Sequence, residues 1–171
     1  MTVRLLARAA VYAALYAALT LAPGLSSIAY GQVQFRVSEA LLAFACLDVA
    51  AVPGLTVGTA LANIGSPMGM PDVIFGAALT LLAATLMWYM GPKLVALVVP
   101  ALVNGFGVAA ELALLLDLPY WPSVGYVALG EACVMATAGA VLFVVVRRQA
   151  PVLGLVPRRA RGRVPGRRRE M

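Results

Sequence analysis

Six apolar runs, separated by short polar or glycine- and proline-rich connections, confine this chain to a lipid-spanning fold. They occupy residues 5–22, 37–52, 54–64, 73–90, 94–116 and 124–146. A helix needs about 20 residues to cross a bilayer, within a range of roughly 17–25. The first run and the last three meet that length. The second and third are shorter, and Pro53-Gly54 is expected to form a tight turn between them. They either span with local thinning of the bilayer or form a hairpin that crosses incompletely. Composition supports the lipid solvent. Of 171 residues, 63% are hydrophobic, against about 45–50% in a soluble domain, and the mean hydropathy is +0.94. The expected fold class is all-α, a polytopic bundle of about six transmembrane helices spanning residues 1–148, followed by a tail at 149–171.

Charge placement orients the bundle. Every basic residue except Arg36 falls on one side: Arg4 and Arg8 at the first helix, Lys93 in the fourth connection, Arg147 and Arg148 at the last helix, and the tail. The positive-inside rule makes that side cytoplasmic. Both termini are then inside, and connections 23–36, 65–72 and 117–123 face out. The first run is read as a spanning helix rather than a signal peptide, because no clear cleavage site leads into a soluble domain. The tail's seven Arg and one Glu carry the whole formal net charge of +6. Such a composition does not pack a core and is expected to be disordered. It reads as a topology anchor near anionic lipid, with a partner-docking tail as the alternative. Without interleaved aromatics, nucleic-acid binding is not expected.

The chemistry is sparse. There is no His, which rules out a zincin motif and a Ser-His-Asp triad. No G-x-x-x-x-G-K-[ST] loop is present, so ATP is not hydrolysed by that route. Cys46 and Cys133 sit in apolar stretches and are expected as buried packing residues, neither disulfide nor metal site. No cofactor is expected, and the chain reads as a non-enzyme.

The acidic residues behave differently from the basic ones. Glu39, Asp72, Glu111, Asp117 and Glu131 fall in the outer half or within helices. An ionisable group in a bilayer is costly, so it usually faces a cavity or a partner and marks function. Glu131 is the leading candidate, roughly 10 Å deep in the last helix at 1.5 Å per residue. The bland alternative is a structural ion pair or helix-helix hydrogen bond. Asn104 lies mid-helix, and Asn63 ends the third run. Each is either a ligand contact or interhelical glue. Glu111, seven residues from Asn104, shares its face. In the outer loops, Gln34, Phe35 and Arg36, and then Tyr120 and Trp121, put aromatics beside polar groups. They form either a pocket rim or an interfacial belt, and Trp121 alone fits the belt better. Ala9, Ala13 and Ala17, and the adjacent row Ala10, Ala14 and Ala18, recur every four residues. That spacing lets another helix approach closely, within the bundle or on a second membrane protein.

The segments GQVQFRVSEAL, GLTVGTALANIG, PDVIFGAALTLLAA, PALVNG and PYWPSVGYVALGEA, in this order, resemble the QueT family over residues 5–148. The resemblance implies a six-helix substrate-binding S component of an energy-coupling factor transporter. Such a subunit captures a queuosine precursor, a 7-deazaguanine, outside the cell. It works with a T component and two ATPase subunits in the plasma membrane. In the family, small residues on the first helix meet the T component, which maps here to Ala9, Ala13 and Ala17 or the adjacent row. A deazaguanine edge offers two donors that suit one carboxylate, and its carbonyl accepts from Arg, Asn or Gln. Its ring stacks on an aromatic, and an aminomethyl group wants a second carboxylate. Glu131 is expected at the guanine-like edge, Asn104 and Asn63 as supporting groups, and Arg36 with Glu39 as an outer clamp. Glu39 and Glu111 are the further carboxylates, Gln34 and Arg36 further donors, and Phe35, Tyr120 and Trp121 stacking partners. The two-proline connection GSPMGMPD and the Arg-rich tail depart from the family pattern. The competing readings are an S component for another flat, nitrogen-rich solute and a structural membrane protein.

Overall fold

The computed structural model describes residues 2–25 and 35–155. It is helical throughout, without strands among the described residues. Helix α1 covers Val3–Leu21, and a 3-10 segment covers Val37–Cys46. Helices α2 (Ala51–Asn63) and α3 (Met70–Met90) follow. A short 3-10 turn, Leu94–Val98, leads into α4 at Val99–Leu116. Helix α5 (Tyr120–Val134) runs through a π stretch, Met135–Gly139, into α6 at Ala140–Gln149. Four continuous helices are long and apolar enough to cross a membrane: Val3–Leu21, Met70–Met90, Leu94–Leu116 and Tyr120–Gln149.

Side-chain pairings fix the directions. Tyr12 donates to Asp48 at 3.1 Å and Thr20 pairs with Ser38 at 2.7 Å, so α1 runs antiparallel to the 3-10 segment. A Cβ on Gly54 would lie 2.6 Å from the Ala9 carbonyl oxygen, and one on Gly58 2.9 Å from that of Ala13. Helices α1 and α2 therefore ascend together, in the backbone-to-backbone contact that small residues permit. Thr59 meets Thr80 at 3.0 Å, which sets α3 antiparallel to α2. Asn104 meets Glu131, so α5 descends against α4. The six segments alternate in direction. Leu153 and Leu155 line one groove with Ala7, Arg8 and Phe44, which puts both ends of the described chain at the same, basic end.

The second and third runs differ from expectation. Pro53-Gly54 is not the turn. The turn is at residues 47–50, where Asp48 Oδ1 accepts from the Ala50 amide at 3.0 Å. Pro53 instead sits in the first turn of α2, where an absent N–H leaves no broken bond. The second run is a 3-10 helix and not an α-helix. At about 2.0 Å per residue, its ten residues reach about 20 Å, where an α-helix would reach about 15 Å. A run too short for an α-helical crossing thereby covers more of the membrane's depth. At the far end of α3, Gly91 takes φ +69, a backbone conformation that glycine adopts without strain.

Lipid-facing and interior positions are sorted as a membrane requires. Leu6, Val11, Leu15, Ile74, Leu82, Leu102, Leu129 and Val145 are exposed. The interior holds a small apolar core around Tyr16, Leu42, Leu47, Leu55, Met87 and Phe143. Cys46 belongs to it, whereas Cys133 is exposed, contrary to the expectation of two buried thiols. Packing also extends past the expected boundary at residue 148. Residues 150–155 turn back, and Leu155 is buried with its amide donating to the Ala150 carbonyl at 2.9 Å. The rest of the expected tail lies outside the described residues.

Candidate functional site

The polar residues that sequence scatters over five elements converge in the half of the bundle opposite the basic end. Arg36, Glu39, Asn63, Asp72, Asn104, Glu111 and Glu131 are all buried. Each comes from a place where the sequence leaves a polar group on an interior face. Arg36 and Glu39 open the 3-10 segment, Asn63 closes α2 and Asp72 lies in the first turn of α3. Asn104 and Glu111 are two turns apart on α4, and Glu131 meets Asn104 from α5.

The deepest pair is Asn104 and Glu131. The Asn104 amide donates to Glu131 Oε1 at 2.6 Å. Close approach of α4 and α5 allows it, since a Cβ on Gly105 would lie 3.0 Å from Ala128 Cβ. Glu131 Oε2 is buried and has no hydrogen-bond partner among the described residues. Beside this pair, Tyr16 donates its hydroxyl to Glu39 Oε1, and Glu39 Oε2 is likewise buried without a partner. Glu39 lies within electrostatic reach of Glu131, and Arg36 within reach of both.

Nearer the end of the bundle opposite the basic one, the Arg36 guanidinium sits 3.7 Å from Asp72 Oδ2. Asn63 donates to the Asp72 carbonyl at 2.9 Å and to its Oδ1 at 3.2 Å. Gly76 makes this possible, because a Cβ there would collide with the Asn63 amide. Glu111 is fully buried, and neither of its carboxylate oxygens has a hydrogen-bond partner among the described residues. It lies within electrostatic reach of Asp72 and Arg36. A buried polar group without a partner costs free energy on the order of 1–3 kcal/mol. Several such atoms lie in this half of the bundle, namely Glu39 Oε2, Asn63 Oδ1, Asp72 Oδ2, Glu131 Oε2 and both Glu111 oxygens.

The expected residues divide into those that join this cluster and those that do not. Glu131, Asn104, Asn63, Arg36, Glu39 and Glu111 are together. Arg36 pairs with Asp72 of α3, and Glu39, expected beside it as an outer clamp, lies within its electrostatic reach. Phe35 is half-buried next to Arg36. Gln34 lies outside the described residues. Tyr120 and Trp121 stack edge to face with ring centroids 5.2 Å apart. Trp121 is 72% exposed, the placement of a belt residue. The Tyr120 hydroxyl donates to the Phe106 carbonyl at 3.5 Å.

Sequence reasoning did not select Tyr16, Thr20, Ser38 or Asp72. The signal for the first two was present. Tyr12, Tyr16 and Thr20 recur every four residues and so share one face of α1, and that face is the buried one. On the same helix Ala9 and Ala13 are buried against Gly54 and Gly58, so their small size is used within the chain. Ala17 is partly buried, and the adjacent row, Ala10, Ala14 and Ala18, is exposed.

Comparison with known proteins agrees with this architecture. The family model described as "QueT transporter" matches residues 6–148. A relative named "Queuosine precursor transporter QueT", from Lactococcus lactis subsp. cremoris (strain MG1363), is 34% identical over 136 residues. That alignment covers 71% of this chain and 80% of the relative. No solved structure matches. With a multi-pass bundle, a buried polar cluster and a family match over nearly the whole membrane body, the chain belongs to the QueT transporter family.

Proposed function

We propose that the chain is the substrate-binding S subunit of an energy-coupling factor importer and captures a queuosine precursor, a 7-deazaguanine, from outside the cell. The observation that carries this reading is the buried Glu131–Asn104 pair with Oε2 of Glu131 left over. A guanine-like edge presents N1–H and an exocyclic amine side by side, two donors for one carboxylate. A carboxylate already oriented by an amide and enclosed by helices meets that edge without reorganisation, and charge-assisted bonds of this kind are the strong ones. The carbonyl of the base needs a donor, which Asn104 or Arg36 supplies. The name of the Lactococcus relative supports the same solute class.

The chain binds and hands over its solute with no covalent chemistry, and ATP hydrolysis falls to separate ATPase subunits. Orientation follows from the basic end, Arg4, Arg8, Arg147 and Arg148, taken as cytoplasmic. The cluster then lies in the outward half of the bundle. The T component docks on α1, at the exposed row Ala10, Ala14 and Ala18, since Ala9 and Ala13 are occupied by α2.

Calorimetric titration of the purified full chain with 7-aminomethyl-7-deazaguanine tests the reading. Saturable binding is expected, and Glu131→Ala is expected to weaken it by at least about tenfold, the loss that follows from one hydrogen bond to a charged group. Absence of saturable binding by the parent chain overturns the function. Unchanged affinity in Glu131→Ala overturns the site.

A further inference from the structure

At the basic end of the bundle, away from the carboxylate cluster, α1, the 3-10 segment and the turn after α6 enclose a groove of about 420 Å³. Ala7, Val11 and Leu15 of α1 line its length with Phe44, and Leu153 and Leu155 line it from the turn. Its walls are almost wholly apolar. From Ala7 to Leu15 the helix rises about 12 Å. That is most of one leaflet's share of a hydrocarbon core about 30 Å thick. With the basic end cytoplasmic, the groove lies in the inner leaflet, and its Ala7 end is nearer the headgroups.

Charge gathers at that end. Arg8 lines the groove, and Arg4 lies one turn nearer the membrane surface on the same face of α1. Asp48 holds Arg8 by one edge, with Nε 3.5 Å from Oδ2. The same carboxylate also accepts from the Tyr12 hydroxyl and the Ala50 amide. Arg8 is partly exposed and its Nε has no hydrogen-bond partner among the described residues. The two terminal nitrogens of Arg8, part of the planar fork that suits a phosphate, are left for a second anion. Among the described residues at this end, Arg4, Arg8, Lys93, Arg147 and Arg148 outnumber the one carboxylate, Asp48. Val152 and Leu153, just past α6, are exposed beside these cations. Apolar side chains next to basic ones are the make-up of a segment that lies in the lipid interface.

Depth and charge together describe the occupant. It has a long apolar chain and an anionic head. An apolar partner helix would cover the length of the groove and leave the Arg8 fork unmet. We propose that the groove binds one anionic phospholipid of the cytoplasmic leaflet, with an acyl chain along Ala7, Val11, Leu15 and Phe44 and the phosphate on Arg4 and Arg8. Basic pockets on the cytoplasmic side of membrane helices bind anionic headgroups in this way. The site differs from a general attraction of lipid to the basic tail, because it holds a single molecule and depends on Arg8. It does not depend on which solute the carboxylate cluster takes.

Native mass spectrometry of the full chain, released from detergent, tests the site with phosphatidylglycerol and phosphatidylcholine of matched acyl chains. One phosphatidylglycerol per chain is expected, retained about tenfold or more over phosphatidylcholine, the usual return on a charge-assisted bond. Arg8→Gln is expected to lower phosphatidylglycerol to the level of phosphatidylcholine, whose continued retention reports that the variant is folded. Val11→Trp fills the groove and is expected to lower retention of both lipids. Arg167→Gln, Arg168→Gln and Arg169→Gln together are expected to keep the preference. Equal retention of the two lipids by the parent overturns the proposal without any variant. So does a preference that survives Arg8→Gln, one that is lost with the three tail substitutions, or retention unchanged by Val11→Trp. A parent chain that retains neither lipid also overturns it and leaves the groove to a partner protein.

Discussion

At the scale of single residues, a bilayer makes each polar side chain answer for its burial. Asp72 is the clearest case, since it faces the Arg36 guanidinium and also holds the Asn63 amide. Asp72→Asn keeps the shape and an acceptor for Asn63 but removes the charge opposite Arg36. Breaking a buried pair from one side costs about 3–5 kcal/mol in well-packed cases. The variant is expected to unfold at a lower temperature in detergent, as read by intrinsic fluorescence or scanning calorimetry. An unchanged melting temperature means that the pair does not contribute. The membership of the site was largely legible in the sequence, because carboxylates and amides inside apolar runs are conspicuous. Their pairing was not. Arg36 and Glu39 are neighbours on a 3-10 segment, but tertiary packing brings Asp72 of a different helix against the guanidinium. Tyr16 hid among the alanines of α1, where an aromatic residue reads first as core.

At the scale of elements, close helix contact decides which residues remain available. The α1–α2 interface depends on Gly54 and Gly58, whose missing Cβ atoms let α1 backbone sit against α2. Gly58→Leu would force its side chain into Tyr16 Cβ at 2.7 Å and the Ala13 carbonyl oxygen at 2.9 Å. Overpacking of this kind costs about 1–3 kcal/mol or more. The expected outcome is a marked loss of thermal stability, together with weakened ligand binding because Tyr16 supports Glu39. A variant as stable as the parent contradicts the close contact. The existence of each helix was readable from apolar run length. The local geometry was not. The Pro-Gly dipeptide suggests a turn, but proline is equally at home in the first turn of a helix, and Asp48 supplies the actual turn. The 3-10 form of residues 37–46 answers a length requirement set by the bilayer and the neighbouring helices, which a local pattern does not reveal. The same holds for the π stretch at Met135–Gly139, one turn past Glu131. Such stretches are frequent beside functional sites.

At the scale of the whole molecule, the chain separates two faces. One is the buried cluster toward the far end, and the other is the exterior of α1, where Ala10, Ala14 and Ala18 remain exposed. If that row receives the T component, Ala14→Leu blocks helix approach without touching the cluster. Purified Ala14→Leu is expected to bind ligand within about twofold of the parent, as exposed substitutions usually do. Uptake by cells that supply the other importer subunits is expected to collapse. Normal uptake contradicts the docking face, and lost binding contradicts the separation of the two faces. The central claim is that Glu131 receives the edge of a planar, donor-rich base. The most direct measurement is a structure of the full chain bound to 7-aminomethyl-7-deazaguanine. The account predicts the guanine-like edge within about 3.2 Å of Glu131 Oε2, with Asn104 still bonded to Oε1. A base seated elsewhere, with Glu131 held only by its protein partner, would contradict it.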